Sequence, residues 1–293
     1  MDDPPRERPL TGEPSPTGAP SPTGQSAPLV PVGLHATLVL VRHGESTFIV
    51  EERFQGQAET PLSPTGRRQA GLVARRLASP LDPPALPVPG RPPLELVHSP
   101  LQRTAQTAEA IQDAIRATGA GLARRPDPAF LEIGQGAWEG LHRTEIDARF
   151  RAELAAWRRA PLEAWAPGGE PLPEVQARVR TGLVAVLAHL AEGGVPGTPK
   201  GPQVAGYRGP AIDHPWSIIV GHDGVFKVAL LALFDIPLDR FWMWSMDLCG
   251  ITVIELRGGR PVLRAHNLTA HLAGLLDEAT MADLEERSRS GAL

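Results

Sequence analysis

Three short stretches carry the side chains best suited to chemistry in this chain. Arg42 and His43 follow the aliphatic run TLVLV, Arg103 lies in HSPLQRTAQTA, and His222 lies in GHDG directly after SIIV. Arginine binds phosphate oxygens in bidentate fashion and stays charged throughout a reaction. One imidazole can attack phosphorus to form a phosphohistidine, and a second, protonated imidazole can neutralise the developing charge. These residue types favour phosphoryl transfer.

A reaction of this kind also needs an acid for the leaving group, and Glu132 in LEIGQGAWEG is the first candidate. A carboxyl group with a raised pKa protonates the leaving alkoxide and then deprotonates the incoming water. Glu139 and Glu45 are competing carboxylates, either of which could be structural. We expect no metal site and no cofactor, because arginine and histidine supply the cations and the chain shows no HExxH or Asp-rich ligand spacing.

The elements that position these groups alternate between strand and helix. Strands are predicted at Thr37–Val41, in LELVHS and in WSIIV, with a terminal hairpin formed by GITVIEL and PVLRAHNL. Helices are predicted after the N-cap Ser63, from LQRTAQ to Gly119, over Thr144–Arg159 and Pro173–Ala191, and in the stretch after His222.

This alternation predicts a three-layer α/β/α sandwich: a mostly parallel sheet with helices on both faces. Ligands bind such sheets just beyond the carboxyl ends of the strands. Because Arg42, Arg103 and His222 all follow strand ends, we expect them along one rim of the sheet.

Two segments have little to bury. Residues 1–34 repeat SPTG twice and are predicted to be a disordered, Pro/Gly/Ser-rich tail, so that the folded domain spans residues 35–293. Glu192–Pro215 is rich in glycine and proline and is predicted to be a long loop without an element. It enters the strand before His222 from the amino end, so we expect it at the end of the sheet opposite the rim.

Composition excludes several classes of protein. A net charge of −4 argues against binding to nucleic acid or to an anionic membrane, because proteins that bind either usually have a basic surface. A single cysteine, Cys249, excludes an internal disulfide and a cysteine-based metal site, and its context indicates a buried, inert thiol. The acidic, proline-rich start of the chain and the lack of a long apolar run predict a cytoplasmic protein without a membrane span.

Five blocks in the order of this chain resemble the histidine phosphatase superfamily, which has the phosphoglycerate mutase-like fold. They are VRHGEST, FQGQAETPLSPTGRRQA, HSPLQRTAQTA, LEIGQGAWEG and IIVGHDGV, and the resemblance extends over roughly residues 36 to 272. By this resemblance His43 is the nucleophile and Glu132 the proton donor. The phosphate pocket that it implies consists of Arg42, Arg103 and His222, with Gln55 as a further contact on the phosphate side.

Two features refine the resemblance. HNLTAHL at 266–272 and the GAWEG that contains Glu139 resemble the phosphatase branch, which favours hydrolysis over isomerisation. Family members usually carry an asparagine where this chain has Ile49, so one phosphate donor is missing or is supplied by a neighbour such as Ser46 or Thr47. The resemblance thus implies a metal-independent phosphomonoester hydrolase that acts on a small phosphorylated metabolite through a phosphohistidine.

Two other functions stay open at this stage. One is a phosphoglycerate-mutase-type phosphotransferase, and the other is a weakly active module that binds a phosphorylated ligand, which the Ile49 departure allows. The insert Arg143–Pro171 is the predicted lid, and its arginines are interpreted as a solvated helix face rather than as anion contacts. These arginines are Arg143, Arg149, Arg151, Arg158 and Arg159.

The tryptophans Trp242 and Trp244 are predicted to pack in the core or at a homodimer edge, with stacking on a substrate as the alternative. The other histidines, His98 and His271 among them, are interpreted as packing or surface residues. Their positions therefore add no candidate to the predicted catalytic set.

Overall fold

A six-stranded mixed sheet organises the computed structural model, which describes residues 28–194, 203–204, 207–208 and 214–275. The strand order in the sheet is β3-β2-β6-β1-β7-β8, and β4 and β5 form a separate two-stranded ladder. The bounds are β1 Ala36–Arg42, β2 Glu95–His98, β3 Ala123–Pro126, β4 Gln203–Val204, β5 Tyr207–Arg208, β6 Trp216–Gly221, β7 Ile251–Arg257 and β8 Arg260–Leu268.

Helices cover both faces of this sheet. Their bounds are α1 Thr47–Val50, α2 Pro64–Ala78, α3 Gln102–Ala117, α4 Arg143–Arg149, α5 Arg151–Arg159, α6 Leu172–Glu192 and α7 Asp223–Leu233. Leu38 and Leu40 of β1 pack into the core that α6 and α7 cover, whereas Val39 and Val41 pack into the core under α2 and α3. Alternate residues of a strand face opposite sides. The predicted three-layer α/β/α sandwich is therefore confirmed.

The three central strands bring the motif residues to one rim. Strands β2, β6 and β1 are mutually parallel neighbours, and Arg42 lies opposite Gly221 in the register between β1 and β6. The antiparallel hairpin of β7 and β8 completes the sheet beside β1, as the sequence predicts. The carboxyl ends of β1, β2 and β6 thus deliver Arg42, His98 and Gly221 to the same edge.

Three elements differ from the sequence prediction. Strand β3 was missed because its residues ARRP are not aliphatic: it is an edge strand, exposed on one side, where a polar sequence is tolerated. The helix predicted over Thr144–Arg159 is two helices, broken at Phe150 with φ −135° and ψ 22°, and no proline or glycine marks the break. Glu192–Pro215 contains the short β4–β5 ladder, although it was predicted to lack any element.

The packed part of the chain begins before the predicted boundary at residue 35. Leu29, Val30 and Leu34 are buried in the core on the α6 and α7 side, so this core includes residues that precede the predicted boundary. The tail predicted for residues 1–27 lies outside the described residues, as does most of the long loop. The long loop ends at Pro215, whose carbonyl oxygen accepts a hydrogen bond from Thr37 N at the amino end of β1. Among the described helices, none is long and apolar enough to cross a membrane.

Candidate active site

Strand β1 ends in Arg42 and His43, and the next residue must be glycine. The His43 backbone N–H donates to Gly221 O at 3.0 Å, which continues the β1–β6 pairing to the rim. A Cβ at Gly44 would lie 2.6 Å from the carbonyl oxygen of Gly66 at the start of α2. The RHG sequence therefore lets a helix terminus approach the strand end closely and hold His43 in place.

The His43 ring is buried and in a defined tautomer. Its Nδ1 lies 2.6 Å from Gly44 O, and because a carbonyl only accepts, Nδ1 carries the proton. Burial lowers the pKa of His43 well below its usual value, and the charges of Arg103 and Arg42 lower it further. The ring is therefore neutral at pH 7, with an unprotonated lone pair on Nε2, which is the form required of a nucleophile.

His222 lies beside His43, with the two ring centroids 5.1 Å apart. It follows β6 as the N-cap residue of α7, and its Nε2 lies 2.9 Å from Ser99 Oγ, at the end of β2. Burial lowers the pKa of His222, and Arg103, His43 and Arg42 lower it further. The sequence suggests a protonated second imidazole, whereas burial and these neighbouring charges favour the neutral ring at pH 7.

Arg103 is a fully buried arginine in the first turn of α3. Its Nη1 and Nη2 donate to the carbonyls of Ala58 and Gly56 at 2.9 and 2.7 Å, and these bonds fix its guanidinium plane. Burial lowers the pKa of Arg103 to about 10, with Glu132 and Glu59 opposing the shift. It keeps its charge at neutral pH.

Buried nitrogen atoms without partners mark the centre of the cluster. Arg42 donates from Nη1 to Met246 O at 2.5 Å, but its Nε has no hydrogen-bond partner among the described residues. Within the same part of the chain, Arg103 Nε and His222 Nδ1 also lack partners. Buried polar atoms are normally paired, so this grouping around His43 has the character of an anion site.

Glu132 is brought to the amino end of α7, directly after His222. Its carboxylate accepts from the N–H groups of Ile133, Gly224 and Val225 at 2.9, 3.2 and 3.1 Å. A Cβ at Gly224 would lie 2.7 Å from Glu132 Oε1, which accounts for the second glycine of GHDG. Burial raises the pKa of Glu132, as does nearby Asp223, against the opposing effect of these hydrogen bonds and of Arg103.

Sequence reasoning missed the group that holds the Glu132 loop. Arg178 of α6 donates to three carbonyls of this loop, those of Ala129, Leu131 and Glu132, at 3.1, 2.7 and 2.9 Å. It also donates to both oxygens of Glu170, while Gln57 donates to Glu132 O and to Glu170 Oε2. Nothing in QARVR distinguishes this arginine from a surface residue, because its partners are backbone atoms distant in sequence.

The competing carboxylates have structural partners. Glu139 Oε1 accepts from the N–H groups of Gln57 and Gln135 at 3.0 and 2.8 Å. Glu45 accepts from Ser63 Oγ at 2.6 Å, beside the N-cap of α2. Both therefore stabilise loops around the site, whereas Glu132 contacts the first turn of α7, which follows His222.

Ser46 and Gln55 bind each other. Ser46 Oγ donates to Gln55 Oε1 at 2.6 Å and accepts from Ile49 N as the N-cap of α1, so its single proton is already directed at Gln55. Thr47 Oγ1 lies 2.8 Å from Thr60 Oγ1. The Ser46 proton is thus directed at Gln55, whereas either hydroxyl of the Thr47–Thr60 pair can be the donor, and the Gln55 amide is a further candidate donor to phosphate.

The predicted lid, Arg143–Pro171, packs on its own small core of Trp138, Ile146, Leu154 and Ala166. Four of its five arginines are exposed, as a solvated helix face requires. The fifth, Arg143, donates from Nε to Glu52 Oε2 at 2.6 Å.

Three further sequence interpretations concern residues near the strand ends. Cys249 is buried and burial raises its pKa, as an inert thiol requires. His271 lies 3.1 Å from Cys249 O and supports the backbone there. Trp242 is 46% exposed, so the prediction that it packs in the core is wrong. Trp244 packs on Phe234.

In the described part of the chain, no three or more His, Cys, Asp or Glu side chains come together as metal ligands.

The chain belongs to the histidine phosphatase superfamily, as the five motif blocks predict: it matches the family Histidine phosphatase superfamily (branch 1) over residues 38–195 and 211–269.

Relatives share much of the chain's length. Phosphoserine phosphatase 1 of Hydrogenobacter thermophilus is 27% identical over 246 residues, 84% of this chain and 98% of that protein. Glucosyl-3-phosphoglycerate phosphatase of Mycobacterium tuberculosis is 32% identical over 202 residues, 69% of this chain and 76% of that protein. The structure of the mycobacterial glucosyl-3-phosphoglycerate phosphatase with VO3 is similar at a TM-score of 0.61 and 29% identity, over 80% of this chain and 99% of that one.

Proposed function

We propose that this chain hydrolyses a small phosphomonoester through a phosphohistidine, without a metal ion. The observation that carries the proposal is the grouping of buried, unpaired nitrogen atoms of Arg42, Arg103 and His222 beside a neutral His43. Two fixed guanidinium charges suit a phosphate dianion, and a neutral imidazole suits attack on its phosphorus.

In the first step, His43 Nε2 attacks phosphorus and the ester oxygen departs. Glu132, whose pKa is raised by burial, gives its proton to this oxygen as the P–O bond breaks. The transferred phosphoryl group is then bonded to Nε2 of His43. Arg42, Arg103 and His222 bind its oxygens, with the Gln55 amide as a further donor.

In the second step, the Glu132 carboxylate accepts a proton from water as the water oxygen attacks phosphorus. The P–N bond breaks, inorganic phosphate forms, and Nε2 recovers its lone pair. The Nδ1–H bond to Gly44 O holds the tautomer through both steps. Glu132 ends protonated, as it began, so one water is consumed for each ester.

Phosphate release from p-nitrophenyl phosphate, and product analysis with 3-phosphoglycerate with and without 2,3-bisphosphoglycerate, test this function. We expect phosphate release that disappears in His43→Ala and persists in His98→Ala, a buried strand-end histidine with the same Nδ1 contact to a carbonyl. Formation of 2-phosphoglycerate would instead indicate a mutase, and binding without turnover would indicate a phospholigand-binding module.

Two further proposals accompany the function. A cytoplasmic location and a homodimer follow from the sequence interpretation. Cell fractionation and sedimentation of the full chain test them.

A further inference from the structure

A cavity of about 100 Å³ opens beside the Glu132 carboxyl, between the loop that carries this residue and the lid. Five of the thirteen residues that line it are aromatic, and we call it the aromatic cavity. They are Trp138, Trp157, Trp165, Phe241 and Trp242. Because Glu132 is the proposed donor to the ester oxygen, this is where the alcohol part of a substrate would lie.

The mouth of the aromatic cavity carries exposed ring surface. Trp242 is 46% exposed and Trp165 is 41% exposed, although large aromatic side chains are usually well covered. Trp242 is nevertheless held in place: Trp157 and Phe241 pack edge-on against it, with centroids 5.6 and 4.8 Å away, and Lys227 Nζ lies 5.2 Å from its centroid. A held but exposed ring is suited to stacking on a ligand.

The ionisable side chains that line this cavity are all carboxyl groups among the residues that the structure describes. Glu132, Glu170 and Asp223 line it, whereas no lysine, arginine or histidine does. Both Glu170 oxygens accept hydrogen bonds from Arg178. Asp223 Oδ2 accepts from Lys227 at 2.7 Å, and within the described chain Oδ1 makes no hydrogen bond. The described lining thus offers an acceptor to a hydroxyl group and no cation to a second anionic group.

We propose that the aromatic cavity binds the alcohol part of the substrate and that this part is a neutral, hydroxylated single ring, as in a monosaccharide phosphate. The inference rests on the proposed hydrolysis at His43. The C–H face of a sugar ring stacks on Trp242, and a ring hydroxyl donates to Asp223 Oδ1. An engineered cavity of about 150 Å³ in another protein holds one benzene, so this cavity of about 100 Å³ is too small to enclose two rings.

A matched substrate series tests this inference through kcat/KM. Hexose 6-phosphates, glycerol 1-phosphate and 3-phosphoglycerate are all esters of primary alcohols, so they differ in the ring and in the added charge rather than in the bond broken. We expect the best of the glucose, mannose and galactose esters to exceed glycerol 1-phosphate by at least about tenfold, and 3-phosphoglycerate to be the poorest of the series.

Variants then connect this preference to the cavity. Trp242→Ala should lower the ratio of hexose to glycerol ester by about tenfold, because the stacking surface is lost. Met243→Ala is the matched control: Met243 is an exposed neighbour that does not line the cavity, and the ratio should be unchanged. Asp223→Asn should raise 3-phosphoglycerate relative to glycerol 1-phosphate, because one repelling charge is removed.

Three results would overturn the inference. They are a ratio near one in the parent protein, an unchanged ratio in Trp242→Ala, and a dependence on Trp242 confined to p-nitrophenyl phosphate, which would assign the cavity to aromatic esters. If hydrolysis of p-nitrophenyl phosphate still requires His43, these results leave the proposed function intact. If no phosphomonoester is hydrolysed, the function fails and this inference fails with it.

Discussion

Replacing Arg178 by methionine should weaken both the fold and the placement of the proposed acid. The guanidinium makes five hydrogen bonds, three to carbonyls of the Glu132 loop and two to Glu170. The side chains of the Arg178–Glu170 pair are only 20% and 26% exposed, so water cannot fully replace the lost bonds. A typical hydrogen bond contributes about 1 kcal/mol net, and bonds to charged groups contribute about 2. Allowing for partial solvation of the stranded groups, we expect a loss of about 3 kcal/mol.

The activity should change in a way that reports on Glu132. Arg178 Nη2 and Gln57 Nε2 share the Glu132 carbonyl, so losing the arginine frees the backbone that carries the acid. A displacement of about 1 Å costs on the order of 100-fold in a positioned reaction. We therefore expect kcat for glycerol 1-phosphate to fall about 10- to 100-fold. p-Nitrophenyl phosphate should be affected far less, because its leaving group departs without a proton.

Urea unfolding and the two kcat values provide the assay. Arg180→Met is the control, since Arg180 lies on the same helix and makes no ion pair or side-chain hydrogen bond within the described chain. Arg178→Lys should recover part of the stability but little of the alkyl ester activity, because lysine lacks the planar fork. If Arg178→Met changed the unfolding free energy by less than about 0.5 kcal/mol and left the ratio of the two kcat values unchanged, Arg178 would not be a positioning residue.

Three further predictions concern protons. Glu132→Gln should lower kcat for alkyl phosphates by about 10²- to 10⁴-fold and affect p-nitrophenyl phosphate much less, with Glu139→Gln as the control; equal losses on both esters would move the acid elsewhere. Sulfate binding at pH 6.5 should take up to about one proton per site, since a dianion favours the charged form of His222; calorimetry in two buffers of different ionisation enthalpy would show zero uptake if this is wrong. The pKa of His222 is lower in the folded protein than the value near 6.5 expected in the unfolded chain. The stability that depends on a neutral His222 is therefore complete above pH 6.5 and is lost as the pH falls towards the pKa of the folded state. His222→Asn should make the fall in unfolding free energy between pH 6.5 and 5 shallower by up to about 1.4 kcal/mol per pH unit, and an unchanged slope would contradict the lowered pKa.

The rim of the site could be predicted from sequence because its residues are tied to strand ends. An aliphatic run fixes where a strand lies, and parallel strands end at one edge, so Arg42, His43 and His222 come together in any arrangement of the parallel strands that places β1 beside β6. The support of Glu132 could not be predicted in this way. Arg178 contacts the loop through backbone carbonyls. Every residue has a backbone carbonyl, so no sequence pattern marks the ones that Arg178 binds.

Protonation states were the other limit, since they depend on burial and on the full set of neighbouring charges. A protonated His222 is reasonable for a residue beside a phosphate, but the ligand-free site already holds two arginine charges in a buried environment. Adding a third positive charge there is unfavourable, and this is why Arg103 and Arg42 lower the pKa of both imidazoles.

This balance of charge is what readies the site for a phosphate ester. With both imidazoles neutral, the two guanidinium groups supply two positive charges, equal and opposite to those of a phosphate dianion. Burial, together with repulsion from Arg103 and Arg42, keeps His43 unprotonated and leaves its Nε2 lone pair available before substrate arrives. A bound dianion offsets the arginine charges that, after burial, lower the pKa of His222, so its binding favours the protonated form of that ring. In the proposed mechanism, this arrangement gives a neutral nucleophile in the free enzyme and an extra cation in the complex, and Glu132, whose pKa is raised by burial, holds the proton for the departing oxygen.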